Sequence, residues 1–422
     1  MSIFISLQSH LLTKPTTMAK VNGSKMPASR KKAFEKLNIN HNKRVILCLD
    51  GGGMRGILTL QLLKKLEETA GIPCFELFDM VSGTSTGGII AGLIASGYTA
   101  AAIEEKYSTL IEEVFDKKPL GDRFVNPPKY LKGNYRKLLF EEIQNTTLAE
   151  SCAKTDIDLM ITAHDMTASE ETFFSCFKQK DGSFYGTYKD VLLRAVLEAT
   201  MSAPTYFNPL ERFVDGGTTT YNNPVLAGFM EAISYSFPKG KEEDSAYDIT
   251  KLCIFSFGTG LSRQFLQPDA TLKIKGLDIK FWLEWLMTQM GQDSSAMQVN
   301  TLRSPIINKI IDFRRFQISL DPLSIKKIPN TDGLDPKKYP SKWLHDVDYS
   351  ILNSIDMADI NRFDLMQVIG QQMAEYIIQK GGAFQKDLVD SNNNDALVTT
   401  FGDIERIQKQ MSDPNWLDNF HA

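Results

Sequence analysis

The sequence predicts an α/β fold, in which a mostly parallel central sheet is wrapped by helices and is followed by a helical C-terminal part. Two observations carry this prediction. A short apolar run, a glycine-rich turn and a helical pattern follow one another twice, over residues 45–66 and again over residues 77–96. Beyond residue 261 the strand-like runs give way to helical patterns. Such alternation of strands and helices is typical of an α/β sheet.

Each predicted strand is a short apolar run, and each predicted helix has apolar residues at intervals of three and four. Residues 45–49 are continuously apolar, as expected for a strand that is buried on both faces. Similar runs predict the strands at residues 77–81, 157–163, 172–177, 212–215 and 252–257. Periodicity predicts helices at residues 58–66, 89–96, 100–115, 191–199, 281–290 and 358–379. Composition predicts loops at residues 117–135 and 322–342.

The composition is that of an ordinary globular protein. The chain has 422 residues, of which 42% are hydrophobic and 23% are charged, and this length suits one large domain with additions. No apolar run approaches the roughly 20 residues of a membrane-spanning helix, so any contact with lipid is expected from the water side. The cysteines are odd in number and scattered, which predicts buried thiols in a reducing compartment and a cytoplasmic or peripheral-membrane location. These cysteines are Cys48, Cys74, Cys152, Cys176 and Cys253.

The charge is distributed unevenly along the chain. Residues 1–44 hold nine Lys/Arg and one acid, Glu35, a sum of +8, so the net charge of −4 leaves −12 for the rest. We therefore expect residues 1–43 to form a basic, flexible N-terminal arm, with an anionic-lipid contact or a targeting segment as alternatives. The expected domain covers residues 44–380, with its core at about 44–262, its helical part at about 263–380, and an extension at residues 381–422.

The second glycine turn contains a pattern that is typical of a nucleophilic serine. Gly83-Thr84-Ser85-Thr86-Gly87 fits the nucleophile-elbow motif, in which a strand turns sharply into a helix. Gly83 and Gly87 leave room for the close approach of neighbouring backbone. Ser85 is then placed at a helix N-terminus, which favours developing negative charge. The pattern is short, and its place between a predicted strand and a predicted helix is what makes it informative.

The first glycine turn, Gly51-Gly52-Gly53-Met54-Arg55-Gly56, allows two interpretations. It matches the dinucleotide-binding pattern after a strand, and Asp79 could supply the acid that such a site needs. Alternatively, successive glycine N–H groups could bind the oxyanion that forms during acyl transfer, and Arg55 could add positive charge there. The second interpretation also accounts for the serine elbow that follows.

The nucleophile needs a base, and the sequence offers two candidates. Only five histidines exist, and His345 would complete a triad with Ser85 and Asp215 in the chain order of an α/β-hydrolase. Alternatively, Asp215 acts directly as the base, because Gly216 and Gly217 let the chain turn tightly and approach the serine. The same residues would also fit an ordinary Asp-Gly turn in which Asp215 has no catalytic role.

Together the three motifs resemble those of the patatin-like phospholipase family. The segment from Asp50 to Gly56 matches the oxyanion loop of that family, Gly83 to Gly87 its nucleophile elbow, and Asp215 to Gly217 its Asp-Gly-Ala/Gly motif. Gly217 stands where many members carry alanine. Secondary landmarks of the family are similar at residues 161–165, 199–204, 222–224 and 256–260. The likeness covers most of the chain after residue 44.

The resemblance implies a three-layer α/β/α fold and a calcium-independent serine acyl hydrolase that needs no metal ion, cofactor or histidine. Ser85 would attack the carbonyl of a fatty acyl ester, and Asp215 would accept its proton. The N–H groups of Gly51, Gly52 and Gly53 would bind the oxyanion. The substrates would be phospholipids, lysophospholipids or related glycerolipids. A non-catalytic protein of the same fold, binding lipid or a partner, is the remaining alternative.

The predicted partner is a membrane lipid, with a peripheral contact to the membrane surface; no nucleic-acid partner is predicted, and the sequence identifies no activator. The aromatic face of residues 281–286 could lie at a bilayer interface or belong to the core. Lys132, Arg136 and Lys137 could contact lipid phosphates or form a solvated helix face. Asp165 is interpreted as a strand-end residue without a catalytic part.

Overall fold

The computed structural model describes residues 26–114, 130, 132–179, 182–235, 247–262 and 279–380, together with short stretches between residues 382 and 415. Residues 1–25 of the predicted arm, most of the predicted loop at 117–135 and most of the C-terminal extension lie outside the described residues. The aromatic face at residues 281–286 lies on a described helix, but its side chains are outside the described set.

A nine-stranded sheet crosses the described part of the chain. Its strands are β1 (Arg44–Leu49), β2 (Met80–Thr84), β3 (Asp158–Asp165), β4 (Glu170–Lys178), β5 (Phe184–Tyr185), β6 (Phe213–Asp215), β7 (Leu252–Phe257), β8 (Asp312–Gln317) and β9 (Leu388–Val389). Their order is β5-β4-β3-β2-β1-β7-β8-β9, with β6 paired to β3. Neighbouring strands along the part β3-β2-β1-β7-β8-β9 are parallel, whereas β4, β5 and β6 add antiparallel pairs. The loops that follow β1, β2 and β7 therefore meet at one edge.

Helices cover both faces of this sheet. They are α1 (Ala28–Lys36), α2 (Gly56–Ala70), α3 (Cys74–Leu77), α4 (Thr86–Ala95), α5 (Ala100–Val114), α6 (Gly133–Ile143), α7 (Leu148–Thr155), α8 (Leu193–Thr200), α9 (Val225–Met230), α10 (Ile279–Leu302), α11 (Pro322–Ile325), α12 (Tyr349–Asn353) and α13 (Phe363–Gln379). Along β1, Val45 and Leu47 belong to the larger hydrophobic cluster, which includes α2, α4 and α13. Ile46 and Cys48 point the other way, into a second cluster with α9. The predicted α/β class, with its mostly parallel sheet and helical C-terminal part, is confirmed.

No helix among those described is both long and apolar enough to cross a bilayer.

Helix ends follow local sequence signals. Helix α2 ends at Gly71, whose φ of 78° is the left-handed conformation that favours glycine at this position. Helix α7 begins with a capping box, in which Thr147 and Glu150 each bind the other's backbone N–H. All five cysteines are buried and free, as predicted.

The strand predicted at residues 77–81 is displaced in the structure. Leu77 ends the short helix α3, and the strand is β2, Met80–Thr84, so it extends into the glycine motif itself. Leu77 and Phe78 are fully buried, but they contribute to the core from outside the sheet. An apolar run of this length indicates burial, but it does not by itself distinguish a strand from a helical turn.

The prediction that helices dominate after residue 261 missed strand β8. Its sequence contains two adjacent arginines, Arg314 and Arg315, which hide the apolar pattern of a strand between two parallel neighbours. Both arginines are buried because each has partners inside the fold. Arg314 binds Asp312 and the carbonyl oxygen of Leu37, whereas Arg315 forms a bidentate pair with Asp50. Charged residues are tolerated inside a sheet when they are paired in this way.

The structure also differs from the predicted flexible arm, because part of residues 26–43 is helix α1. Phe34 and Leu37 of this segment are fully buried in the main hydrophobic cluster. Arg30 is 3% exposed and donates hydrogen bonds to the carbonyl oxygen of Leu77 and to Asp79, at 3.1 and 2.7 Å. Arg30, one of the basic residues on which the prediction of a solvated arm was based, therefore helps to attach α1 to the rest of the fold.

We expect Arg30→Ala to lower the free energy of unfolding by about 3 kcal/mol, because it leaves the buried Asp79 with one fewer counter-charge. Urea titration would measure the change. Lys31→Ala is the matched control: Lys31 is exposed on the same helix, and its loss should change the free energy of unfolding by less than about 0.5 kcal/mol. Equal stability of Arg30→Ala and the wild type would contradict the docking of α1.

Candidate active site

Ser85 lies at the turn between β2 and α4, at the edge where the loops after β1, β2 and β7 meet. Its φ of 53° and ψ of −124° are unusual for a residue with a side chain, and this local strain is typical of functional sites. The flanking glycines explain how the turn is accommodated. A Cβ atom on Gly83 would overlap the backbone of Gly87, and one on Gly87 would lie 2.6 Å from the carbonyl oxygen of Asp50.

Asp215 contacts the hydroxyl of Ser85 directly. The Oγ atom of Ser85 donates a hydrogen bond to Oδ2 of Asp215 at 2.7 Å, and its second neighbour is Sδ of Met201 at 3.6 Å. Both partners of the pair are almost completely buried, with 3% and 2% of their surface exposed. The structure thus brings together two residues that are 130 positions apart in the chain.

The sheet and a tight turn hold Asp215 in this position. Asp215 ends β6 and lies opposite Ala163 of β3, and its N–H donates to the carbonyl oxygen of Ser202 at 3.1 Å. Its Oδ1 atom accepts the N–H of Gly217 at 2.7 Å, which leaves Oδ2 for Ser85. A Cβ on Gly216 would overlap the side chain of Thr162. The Asp-Gly-Gly turn is therefore present, and it also orients the carboxylate toward the serine.

Burial changes the proton affinity of this carboxylate. Removal from water raises the pKa of Asp215 to about 6, while the hydrogen bonds from Ser85 and Gly217 oppose that rise. An ordinary aspartate is a poor base at neutral pH because its pKa lies near 4. With a pKa of about 6, Asp215 is still mostly ionised at pH 7 and is a stronger proton acceptor.

The glycine loop after β1 lies beside Ser85, but one of its three predicted donors is already used. The N–H of Gly51 donates to the carbonyl oxygen of Asn222 at 3.0 Å, so the prediction that it binds an oxyanion is wrong in this structure. The N–H groups of Gly52 and Gly53 have no acceptor among the described residues. Gly53 has a φ of 57°, and a Cβ there would overlap the carbonyl oxygen of Met357.

Arg55 supports this loop from outside. Its backbone N–H and its Nε atom lie 3.2 and 3.5 Å from the carbonyl oxygen of Gly52, and Nη1 lies 3.5 Å from Oγ of Ser262. A Cβ on Gly56 would overlap the hydroxyl oxygen of Tyr107, and that hydroxyl donates to the carbonyl oxygen of Gly53 at 2.6 Å. Because Arg55 holds a carbonyl of the loop, its contacts indicate an orienting role.

Two alternatives from the sequence find no support in the geometry of the described residues. The ring nitrogen Nε2 of His345 lies 2.9 Å from the carbonyl oxygen of Ile328, and the atoms within hydrogen-bonding distance of Oγ of Ser85 belong to Asp215 and Met201. Asp79, the acid that a dinucleotide site would need, precedes β2 at the opposite edge of the sheet and is bound by Arg30.

Sequence reasoning missed Arg315, which lies beneath the glycine loop. Its Nη1 atom donates to Oδ1 of Asp50 and to Oγ of Ser256, both at 2.7 Å. This pair anchors the residue that begins the first glycine motif to strand β8. Adjacent arginines between phenylalanines were the available signal, since a strand with buried charges implies a buried acidic partner.

The other charged candidates near the site are paired. Lys132 and Arg136 bind the same carboxylate, Glu198, and Lys132 also donates to Oγ of Ser202 at 2.7 Å. They are neither a free phosphate-binding pair nor a simple solvated face. Lys137 is exposed, and its Nζ atom lies 3.8 Å from Glu141. Asp165 binds Arg212, and this contact holds the pKa of Asp165 at about 2.

Comparison with known proteins gives a family match over the part of the chain that holds this site. Residues 47–229 match the family described as patatin-like phospholipase. A calcium-independent phospholipase A2 of Rattus norvegicus (85/88 kDa) is 32% identical over 260 residues, which cover 57% of this chain and 30% of that protein. A cUMP-AMP-activated phospholipase of Escherichia coli is 38% identical over 104 residues, covering 25% of this chain and 32% of that protein.

These matches are partial, and the chain spans about a third of the length of these two relatives. Among solved structures, human GIVD cytosolic phospholipase A2 in complex with methyl gamma-linolenyl fluorophosphonate has a TM-score of 0.38 and 14% identity. That match covers 85% of this chain and 62% of the human one.

Proposed function

Because residues 47–229 of this chain form a patatin-like phospholipase domain, we propose that the protein is a serine acyl hydrolase that releases fatty acids from membrane glycerolipids. One observation carries the proposal: the hydroxyl of Ser85 donates to the buried carboxylate of Asp215 at 2.7 Å. The position of Ser85 at the N-terminus of α4 supports the same chemistry, as do the nearby N–H groups of Gly52 and Gly53, for which the described part of the chain provides no acceptor.

The proposed reaction passes through an acyl-enzyme intermediate. Oγ of Ser85 attacks the ester carbonyl carbon while its proton moves to Oδ2 of Asp215. The carbonyl oxygen becomes an oxyanion, which accepts hydrogen bonds from the N–H groups of Gly52 and Gly53. Collapse of the tetrahedral intermediate releases the alcohol part of the lipid, which takes the proton from Asp215. Water then attacks the acyl carbon and gives a proton to Asp215. The bond between Oγ of Ser85 and the acyl carbon breaks, the proton returns from Asp215 to Oγ, and the fatty acid leaves.

The proposed substrates are phospholipids, lysophospholipids or related glycerolipids at a membrane surface. Two relatives are named as phospholipases, and one of them as calcium-independent, which supports this substrate class and a reaction without calcium. We further propose that no metal ion or cofactor takes part, and that the protein meets its substrate from the cytoplasm as a peripheral membrane protein. The name of the bacterial relative includes activation by a nucleotide; we assign no activator to this chain.

We expect the wild-type protein to release fatty acid from mixed phospholipid vesicles in the presence of EDTA, at a rate that added calcium does not increase. The physical reason is that the dyad and the glycine N–H groups supply the base and the oxyanion donors without a metal ion. Mass spectrometry of the vesicles before and after reaction would show which lipids are consumed and which acyl chain is removed.

His345→Ala is the matched control for this assay. Since the ring of His345 binds a backbone carbonyl, the variant should retain nearly full activity, and a complete loss would favour the histidine-assisted alternative. A folded wild type that neither releases fatty acid nor reacts with a fluorophosphonate at Ser85 would instead favour a non-catalytic lipid- or partner-binding protein.

A further inference from the structure

Thr259 connects the loop after β7 to the glycine loop after β1. It is 4% exposed, and its hydroxyl donates to the carbonyl oxygen of Gly51 at 3.0 Å. The side-chain amide of Asn222 lies 3.4 Å from the same oxygen. Neither contact reaches Ser85 or Asp215, so the proposed chemistry leaves both unexplained.

The contact with Thr259 fixes the direction of the N–H of Gly52. The carbonyl of Gly51 and the N–H of Gly52 belong to one peptide group, which is planar, and in the trans form the two bonds point in opposite directions. Holding the oxygen toward Thr259 therefore points the N–H of Gly52 away from it. That N–H is one of the two in the loop without an acceptor among the described residues.

The loop has little room to rotate away from this orientation. Thr259 packs so closely against Gly52 that a Cβ on Gly52 would lie 2.6 Å from Cβ of Thr259. A Cβ on Gly51 would overlap Oδ1 of Asn222 and lie 3.2 Å from Cβ of Ser85, which places this peptide group beside the proposed nucleophile. The peptide is thus confined by Thr259, Asn222 and Ser85.

We propose that Thr259 is a positioning residue, whose hydroxyl holds the Gly51–Gly52 peptide so that the N–H of Gly52 donates to the oxyanion. The proposal rests on the proposed acyl hydrolase function. It assigns Thr259 no contact with substrate. It also gives a physical role to one of the secondary landmarks of the sequence, residues 256–260.

Thr259→Val replaces the hydroxyl with a methyl group of similar volume and is the direct test. We expect kcat for a phospholipid or a p-nitrophenyl ester to fall about 10- to 100-fold with KM nearly unchanged. The reason is that the N–H of Gly52 would stabilise the oxyanion and not the uncharged ester, so its misdirection affects the reaction step and not substrate binding. Thr259→Ser, which keeps the hydroxyl, should restore kcat to within a few-fold of wild type. Thr259→Ala removes the hydroxyl without adding an apolar group. If the valine variant does not fold, kcat of the alanine variant tests the proposal in its place.

A second measurement separates orientation from general damage. A trifluoromethyl ketone analogue adds to Oγ of Ser85, whose proton passes to Asp215, and forms a stable oxyanion. The corresponding alcohol binds the same pocket without forming one. Thr259→Val should weaken the ketone by the same factor as kcat and leave the alcohol unchanged. Wild-type kcat in both the valine and alanine variants, or equal weakening of ketone and alcohol, would overturn the proposal while the wild-type activity stands. An inactive wild type would overturn the proposed function itself.

Discussion

Replacement of Ser85 by Ala, or of Asp215 by Asn, is expected to reduce fatty-acid release by about ten-thousand-fold or more. Loss of Ser85 removes the atom that is proposed to form the acyl-enzyme. Asn at position 215 keeps the shape of the carboxylate and an oxygen for Gly217, but it cannot accept the proton of Ser85. Single substitutions of this kind in Ser-His-Asp triads have costs of this order, and the residual rate reflects oxyanion stabilisation and binding. Fatty acid would be measured after vesicle incubation in EDTA.

The two variants are distinguishable from each other and from unfolded protein. Ser85→Ala should not react with a fluorophosphonate, whereas Asp215→Asn keeps the hydroxyl and should react slowly. Circular dichroism would verify that both retain the α/β fold. Substantial activity in Asp215→Asn, with full labelling of Ser85, would show that another group accepts the proton, and the assignment of Asp215 would then be wrong.

The position of Ser85 at a turn between a strand and a helix could be predicted from the sequence because its signals are local. Ser85 and its two glycines lie within five residues, so strand, turn and helix can be recognised together. The same holds for the glycine loop after β1. Asp215 also had a local signal in Asp-Gly-Gly, but its contact with Ser85 depends on the pairing of β6 with β3, which no short pattern specifies.

What the sequence did not predict depends on long-range partners. Whether the N–H of Gly51 is free was decided by Asn222, which lies 171 residues away and takes that hydrogen bond. Strand β8 was missed because Arg315 looks like a surface residue until its partner Asp50 is known. Helix α1 was missed for the same reason, since the partner of Arg30 is Asp79. In each case the fold pairs a polar group with a partner that is distant in the sequence, and no local pattern identifies that partner.

The raised pKa of Asp215 predicts an acid limb in the pH profile of the proposed hydrolysis. Because only the ionised carboxylate accepts a proton, kcat/KM should be constant above about pH 7 and should fall tenfold per pH unit below about pH 6. A soluble p-nitrophenyl ester is the appropriate substrate, since its own charge does not change in this range. An acid limb centred near pH 4 would mean that the carboxylate is solvated in solution and would contradict its burial.

The raised pKa of Asp215 also affects the stability of the protein. Ionisation of the carboxylate, which the proposed activity requires, destabilises the fold, so a stability measurement checks the same pKa independently. The folded-state pKa of Asp215, about 6, exceeds the ordinary value of 3.8, so the folded protein favours the protonated carboxyl. The stabilisation that protonation gives is fully present below about pH 4 and is lost as the pH rises through about 6. Above that pH, the buried charge costs roughly 3 kcal/mol.

Asn cannot ionise, so Asp215→Asn should be more stable than wild type at pH 8 by up to this amount, and the difference should shrink as the pH falls to 4. Urea titrations of both proteins at the two pH values would measure it. An inactive variant that gains stability only where Asp215 is ionised would tie the lost activity to the buried charge, whereas a variant that is less stable at both pH values would trace the loss of activity to damaged packing.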